Sequence, residues 1–277
     1  MTDIIQQTFN RARVVLPVIH VVDQEQTLRN VKIARAAGVD GVFLISHAYE
    51  NAALIDIARS IKDRLPKFFL GLNLLGKGPL QAYYSAQDAG VDGVWVDNPE
   101  DVDIKNLGLL YFGGVAFKTH VRDEDLAQLV TRAATNMDVV CTSGPRTGVA
   151  EDARRLRIMS EALVGVAPLA VASGVTPQNV QEHLDAGVQA ILVATGVSRN
   201  YHELDLALLT DLVKQVHRCL LGPGEERRVS STKLSKEARA ARAPRPPEEL
   251  VGALQDRIHP TSGRLLAAKP IATTRRK

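Results

Sequence analysis

Three stretches of this chain share one pattern: AGVDGVFLISH at residues 37–47, AGVDGVWVDN at 89–98 and AGVQAILVATG at 186–196. In each, an alanine and a glycine precede an apolar run, and the run stops at polar residues. Glycine takes up the left-handed conformation that ends a helix at little cost. Each stretch therefore predicts a helix end, a glycine stop and a buried strand. Gly38, Gly90 and Gly187 stand 52 and 97 residues apart. Taken as two and four repeats, these intervals give about 26 and 24 residues per unit. A (β/α)8 barrel of ~250 residues has units near that length.

The same kind of run recurs around these three. RVVLPVIHV starts at Arg13, KFFLGLN at Lys67, LYFGGVAFK at Leu110, DVVCTSG at Asp138 and PLAVASG at Pro168. Runs that are apolar on both faces fit a parallel sheet covered by helices. Segments with helical spacing lie between them, such as QEQTLRNVKIARAAG, NAALIDIARSIKDR and EDLAQLVTRAATN. Eight strands alternating with helical segments predict an α/β fold, a (β/α)8 TIM barrel over residues 1–222. A doubly wound open sheet is the alternative.

The 277 residues are 45% hydrophobic and 23% charged, which suits a globular core. No apolar run approaches the ~20 residues that cross a membrane. The N-terminus lacks a basic segment followed by an apolar one. Cys141 and Cys219 both sit in apolar surroundings. These features predict a reducing, cytoplasmic location with inert thiols. From Pro223 onward there are 13 Lys/Arg against 6 Asp/Glu, a net of +7; the chain totals +3, so residues 1–222 carry −4. That tail also holds six of the 13 prolines. It is expected to be largely disordered, with short helices around 233–242 and 247–257. It is either a solvated extension or an arm for an acidic partner or membrane surface. It has no aromatic residue to stack on bases.

In such a barrel the site forms where strands end. The runs end at His20, with Asp23 beyond; at Ser46-His47; at Asn73; and at Asp97-Asn98. The fifth is expected to end at Lys118, with His120 two residues on. The sixth ends in CTSGPRTG, the seventh at Ser173-Gly174 and the eighth at Thr195-Gly196. Loops after the last two strands often bind phosphate in this fold. Gly174 and Gly196 would let backbone amides approach an anion, and the Ser173, Thr195 and Ser198 hydroxyls would donate. A helix starting near Gly196 would add its positive end. Simple helix capping by these hydroxyls is the alternative.

In the CTSGPRTG loop, Gly144, Arg146, Thr147 and Gly148 would close over a ligand or hold a second anion, with Thr142 beside Arg146 and Thr147 as a substrate-binding candidate; an ordinary Gly/Pro turn is the other reading. Lys118 would serve as a desolvated Schiff-base lysine, as a fixed charge for phosphate or carboxylate, or as the partner of Asp97 in an ion pair. His20, His47 and His120 come from separate strands without close ligand spacing, so no metal site is expected. No cofactor is called for.

Together LPVIHVVD, AGVDGVFLISH, LGLNLLG, GVWVDN, VAFKTHV, TSGPRTG and VASGVTPQNV…ILVATGVS resemble the BtpA family of TIM-barrel proteins, over about residues 12–220. The family is named for a cyanobacterial member linked to photosystem I biogenesis. The resemblance implies a (β/α)8 fold with a phosphate-type site. Some relatives carry an adenine phosphoribosyltransferase label, but this chain lacks the paired acidic residues of a phosphoribosyl-diphosphate loop.

Two functions follow as expectations. One is an isomerase or lyase acting on a small phosphorylated metabolite of phosphosugar or phosphoribosyl type. In it Asp97, Lys118 and His20 would do the chemistry and His47 and Asn73 would orient the substrate. The other is a non-catalytic assembly factor, with the barrel as ligand sensor and the tail as attachment arm. A homo-oligomer is compatible with either.

Overall fold

In the computed structural model the chain is described over residues 4–218, except 49, 100 and 120. Eight parallel strands close into a barrel in sequence order: β1 Val14–His20, β2 Gly41–Ile45, β3 Phe69–Asn73, β4 Gly93–Val96, β5 Leu110–Gly114, β6 Val139–Ser143, β7 Leu169–Ala172 and β8 Ala190–Val193. The last strand pairs with the first, Val14 against Ala190 through Pro17 against Val193. The helices are α1 Ile4–Phe9, α2 Gln24–Ala37, α3 Asn51–Arg64, α4 Pro79–Asp88, α5 Asp123–Ala133, α6 Ala153–Ala162, α7 Val180–Asp185 and α8 Leu206–Arg218. The open-sheet alternative is thereby excluded. The expectations for the tail, its partners and Cys219 lie outside the described residues.

Side chains of a strand alternate between faces, and two apolar clusters result. One fills the barrel: Val14, Leu16, Val18, Phe43, Phe69, Trp95, Phe112, Cys141 and Ala170 are among its members. The other lies between barrel and helices and takes the intervening positions, Val15, Val42, Leu44, Val94 and Val140 among them. Ile5 of α1 is fully buried in the inner cluster, and Phe9 packs on Phe69 with ring centroids 4.8 Å apart. This short helix therefore plugs the end of the barrel where strands begin.

Gly38, Gly90 and Gly187, the glycines of the repeated pattern, all have positive φ, at 82°, 69° and 91°. The structure differs from expectation in two elements. β5 ends at Gly114, four residues before Lys118. Val115, Ala116 and Phe117 are buried without being strand: the chain turns, with φ of 50° at Ala116 and 54° at Lys118, so that Val115 and Ala116 pack in the outer cluster and Phe117 in the inner one. Between β4 and β5 no helix occurs among the described residues. That connection is anchored by buried Ile104 and Leu107 and turns at Asn106 and Gly108, both at positive φ.

Candidate functional site at the strand ends

Alternation decides which strand-end residues face the barrel mouth. His20 continues the inward series Val14, Leu16, Val18; Asn73 continues Phe69; Asp97 continues Trp95; Ser143 continues Val139, Cys141. The Asn73 amide is buried and donates from Nδ2 to Asp97 Oδ1 at 2.9 Å. Asp97 is therefore held by Asn73, where an ion pair with Lys118 was one of the expectations. Its neighbour across β5 requires glycine: a Cβ at Gly114 would collide with the Asp97 carbonyl. Burial, then the Asp97 charge, pushes the Cys141 thiol well above its ordinary range. Cys141 is thus an inert wall beneath Asp97.

Thr142 faces the other way. Cys141 belongs to the inner cluster and Val140 to the outer one, so Thr142 points to the helices, fully buried, with no hydrogen-bond partner for its hydroxyl among the described residues. Its expected contact with substrate is corrected on that ground. Lys118 is exposed, and its ammonium stands 5.2 Å from the centroid of the Phe117 ring. Phe117 packs on Trp95 in the inner cluster, so Lys118 lies over the barrel mouth. The desolvation that a Schiff-base lysine needs is missing there. Asp23 caps α2, accepting from the Gln26 amide at 2.7 Å. His120 lies outside the described residues.

His20 is the most perturbed group on the rim. Burial, then the charges of His47, His202 and Lys118, lower its imidazole from 6.5 to about 4. It is therefore neutral near pH 7. Its ring lies 5.5 Å from that of His47, nearly parallel, and 4.2 Å from that of Tyr201. Its Nδ1 is buried with no partner among the described residues.

Tyr201 and His202 went unnoticed in sequence. They form the tip of a hairpin, β9 Ser198–Asn200 and β10 Glu203–Leu204, that leaves the β8 turn and crosses to α2. Its anchors are two buried polar residues of α2. Gln26 and Asn30 both donate to the His202 carbonyl, at 2.5 and 2.8 Å, and Asn30 Oδ1 accepts from the Leu204 amide at 2.8 Å. Buried amides on a helix are costly unless matched, and the hairpin backbone matches this pair.

The loops after β6, β7 and β8 meet. A Cβ on Gly196 would collide with the Val175 carbonyl, and one on Gly174 with the Val149–Ala150 backbone. The Gly148 amide donates to Ser173 Oγ at 2.8 Å, and that hydroxyl donates to the Arg146 carbonyl at 3.2 Å. Ser173 itself sits at φ 85°, a strained value for a residue with a side chain. Among the described residues, the amides of Gly174 and Val175 find no acceptor in the protein, and Thr195 and Gly196 open a 3-10 turn, whose first N–H groups have no partner within the turn. The Thr195 side chain is exposed on this rim, as are Arg146 and Thr147.

Three expectations change in detail. The Ser173 hydroxyl is spent locking the β6 loop, and the Ser198 hydroxyl donates to the Ala194 carbonyl at 2.8 Å. Neither proton is left for an anion. The expected helix at Gly196 is a single 3-10 turn, Thr195–Val197, because the chain leaves at once into the hairpin.

Among the described residues no three His, Cys, Asp or Glu side chains are arranged to hold a metal, and no helix is long and apolar enough to cross a membrane. A cavity of about 670 Å³ lies at the opposite end of the barrel, lined by Ile4, Gln7, Val164, Val166, Leu169 and Gln189 among others. Lys105, Asp138 and Glu161 also line that cavity; the titratable residues singled out in the sequence converge at the other rim, the candidate site.

No family model matches the chain, and no curated protein matches it. Solved structures do. Phosphoribosyl anthranilate isomerase from Thermus thermophilus is 16% identical with a TM-score of 0.55, covering 75% of this chain and 99% of its own. Thiamine phosphate pyrophosphorylase from Pyrococcus furiosus is 16% identical, at 0.54, covering 76% and 98%. 2-Keto-3-deoxy-6-phosphogluconate aldolase from Zymomonas mobilis is 16% identical, at 0.56, covering 78% and 96%. At these identities the likeness is one of fold: the chain is a TIM barrel of the shape those enzymes share.

Proposed function

We propose that this chain is a BtpA-like barrel enzyme that binds the phosphate of a small phosphorylated metabolite at the loops after β6, β7 and β8. The observation that carries this is a pair of loops in contact, one with the unspent amides of Gly174 and Val175, the other opening a 3-10 turn at Thr195 and Gly196. Amides without acceptors at a strained, glycine-lined turn are suited to an oxyanion. Thr195 is the hydroxyl still free to add a bond, with Arg146 and Thr147 on the adjoining loop.

The chemistry falls to Asp97 and His20. Asp97, aimed by Asn73, is the base that takes a proton from a carbon or hydroxyl over the mouth. His20, neutral at pH 7, polarises an oxygen or relays the proton. Isomerisation and carbon–carbon cleavage both need such a pair. Hydrated Lys118 fits a fixed cation better than an imine-forming amine. The phosphorylated substrates named for the similar barrels agree with this ligand class, and one phosphoribosyl anthranilate isomerase structure holds a reduced deoxyribulose 5-phosphate compound.

Mass spectrometry of ligands released from gently denatured, purified protein tests the proposal. A recovered phosphate ester is the expected result. A ligand recovered reproducibly without phosphate would refute it.

A further inference from the structure

We propose that the ligand carries a second anionic group besides its phosphate, received over the barrel mouth by Lys118, His202 and His47. This rests on the phosphate reading above and narrows its substrate class.

The first ground is placement. The register of β1 on β8 pairs Pro17 with Val193, so the end of β1 at His20 and the turn after β8 belong to adjacent strands. His47 stacks on His20 from the β2 end, and His202 Nδ1 approaches the His20 carbonyl at 3.5 Å from the hairpin. Lys118 reaches in from the β5 loop across the mouth, over Phe117. An arc of imidazoles thus runs from the edge of the phosphate cradle, with an ammonium facing it.

The second ground is charge balance. The ionisable side chains acting on His20 are His47, His202 and Lys118, all cations when charged. Of the carboxylates on the surrounding elements, Asp23 caps α2, Glu203 pairs with Arg29 at 3.1 Å and Asp205 pairs with Arg199 at 3.0 Å; Asp97 keeps its charge at the mouth, held by the neutral Asn73 amide, against the three groups that face His20. A protein spends stability when it gathers like charges at a concave mouth, and an anionic ligand group relieves that cost. Phosphate in the amide cradle leaves this second field unanswered. The hairpin reinforces the point: Gln26 and Asn30 fix its tip so that Tyr201 packs against His20 and His202 stands at the rim.

The second group is a carboxylate or a second phosphate, and three probes separate them: glycerol 3-phosphate, 3-phosphoglycerate and glycerol 1,3-bisphosphate. Affinities for the full-length chain are measured by calorimetry at one ionic strength. The expected result is binding of at least one two-anion probe about tenfold tighter than glycerol 3-phosphate, the worth of one charge-assisted contact. Preference for 3-phosphoglycerate identifies a carboxylate and preference for the bisphosphate a phosphate. Lys118→Met and His202→Gln should each cut that ratio by about threefold or more, since each removes part of the field. His202→Gln leaves the anchoring backbone carbonyl in place, so the hairpin persists. Equal affinity for all three probes, or a ratio untouched by both substitutions, would overturn the second anion alone. Failure of all three to bind would defeat the phosphate cradle as well.

Discussion

Protonating His20 costs more in the folded protein than in the unfolded chain, because burial, His47, His202 and Lys118 bring its imidazole down from 6.5 to about 4. The unfolded chain therefore takes up the proton first, and stability is lost as pH falls from about 6.5 toward 4. Above pH 7 both states are neutral and the effect vanishes. Replacing His20 with Gln removes it. The Tm of the wild type should fall more steeply than that of His20→Gln between pH 6.5 and 4.5; parallel slopes would contradict the assignment. Thr142 offers a second check. Its hydroxyl is fully buried with no partner among the described residues. Thr142→Val keeps the shape and removes the desolvated group, so stability should rise by about 1 kcal/mol in denaturant unfolding. Phosphate binding should not change. A loss of stability, or of binding, would return Thr142 to the site.

The hairpin of β9 and β10 depends on α2 for its position. Asn30 is fully buried, donates to the His202 carbonyl and accepts from the Leu204 amide. Asn30→Leu leaves that amide without an acceptor, at a cost of about 2 kcal/mol. Hydrogen exchange at Leu204 should accelerate and the Tyr201–His20 contact should loosen; unchanged exchange would mean that other contacts hold the hairpin. This element also marks where reading by sequence stopped. The segment SRNYHEL has no apolar run, and its anchors lie more than 170 residues away on α2. Gln26 and Asn30 look like surface residues of a helix until the hairpin covers them. The strands themselves were legible because each is a short apolar run bounded by turn residues. β5 was read four residues too long because Val115, Ala116 and Phe117 are as apolar as a strand. Val115 and Ala116 are buried between barrel and helices and Phe117 over the barrel interior, so the run stays apolar after the ladder ends. Thr142 was legible in principle, since alternation from Cys141 already turns it away from the mouth.

For the whole molecule, closure joins the first strand to the last helix. Asp40, only 6% exposed, accepts from the Val15 amide at 2.8 Å and pairs with Arg11 at 3.0 Å and with His217 of α8 at 3.0 Å. Removing a buried carboxylate with several partners strands them all. Asp40→Ala should cost about 3 kcal/mol in denaturant unfolding, and a loss below about 1 kcal/mol would show the clasp to be incidental. Because the clasp sits where strands begin, the substitution should spare ligand affinity in the protein that remains folded.

The same separation of ends gives the central claim its most direct test. Titrating the full-length, isotope-labelled chain with inorganic phosphate, followed by amide NMR, reports each backbone N–H individually. The account predicts saturable shifts centred on Gly174, Val175, Thr195 and Gly196. Shifts confined to the basic residues after Pro223, or no saturable shift at those four amides, would contradict it.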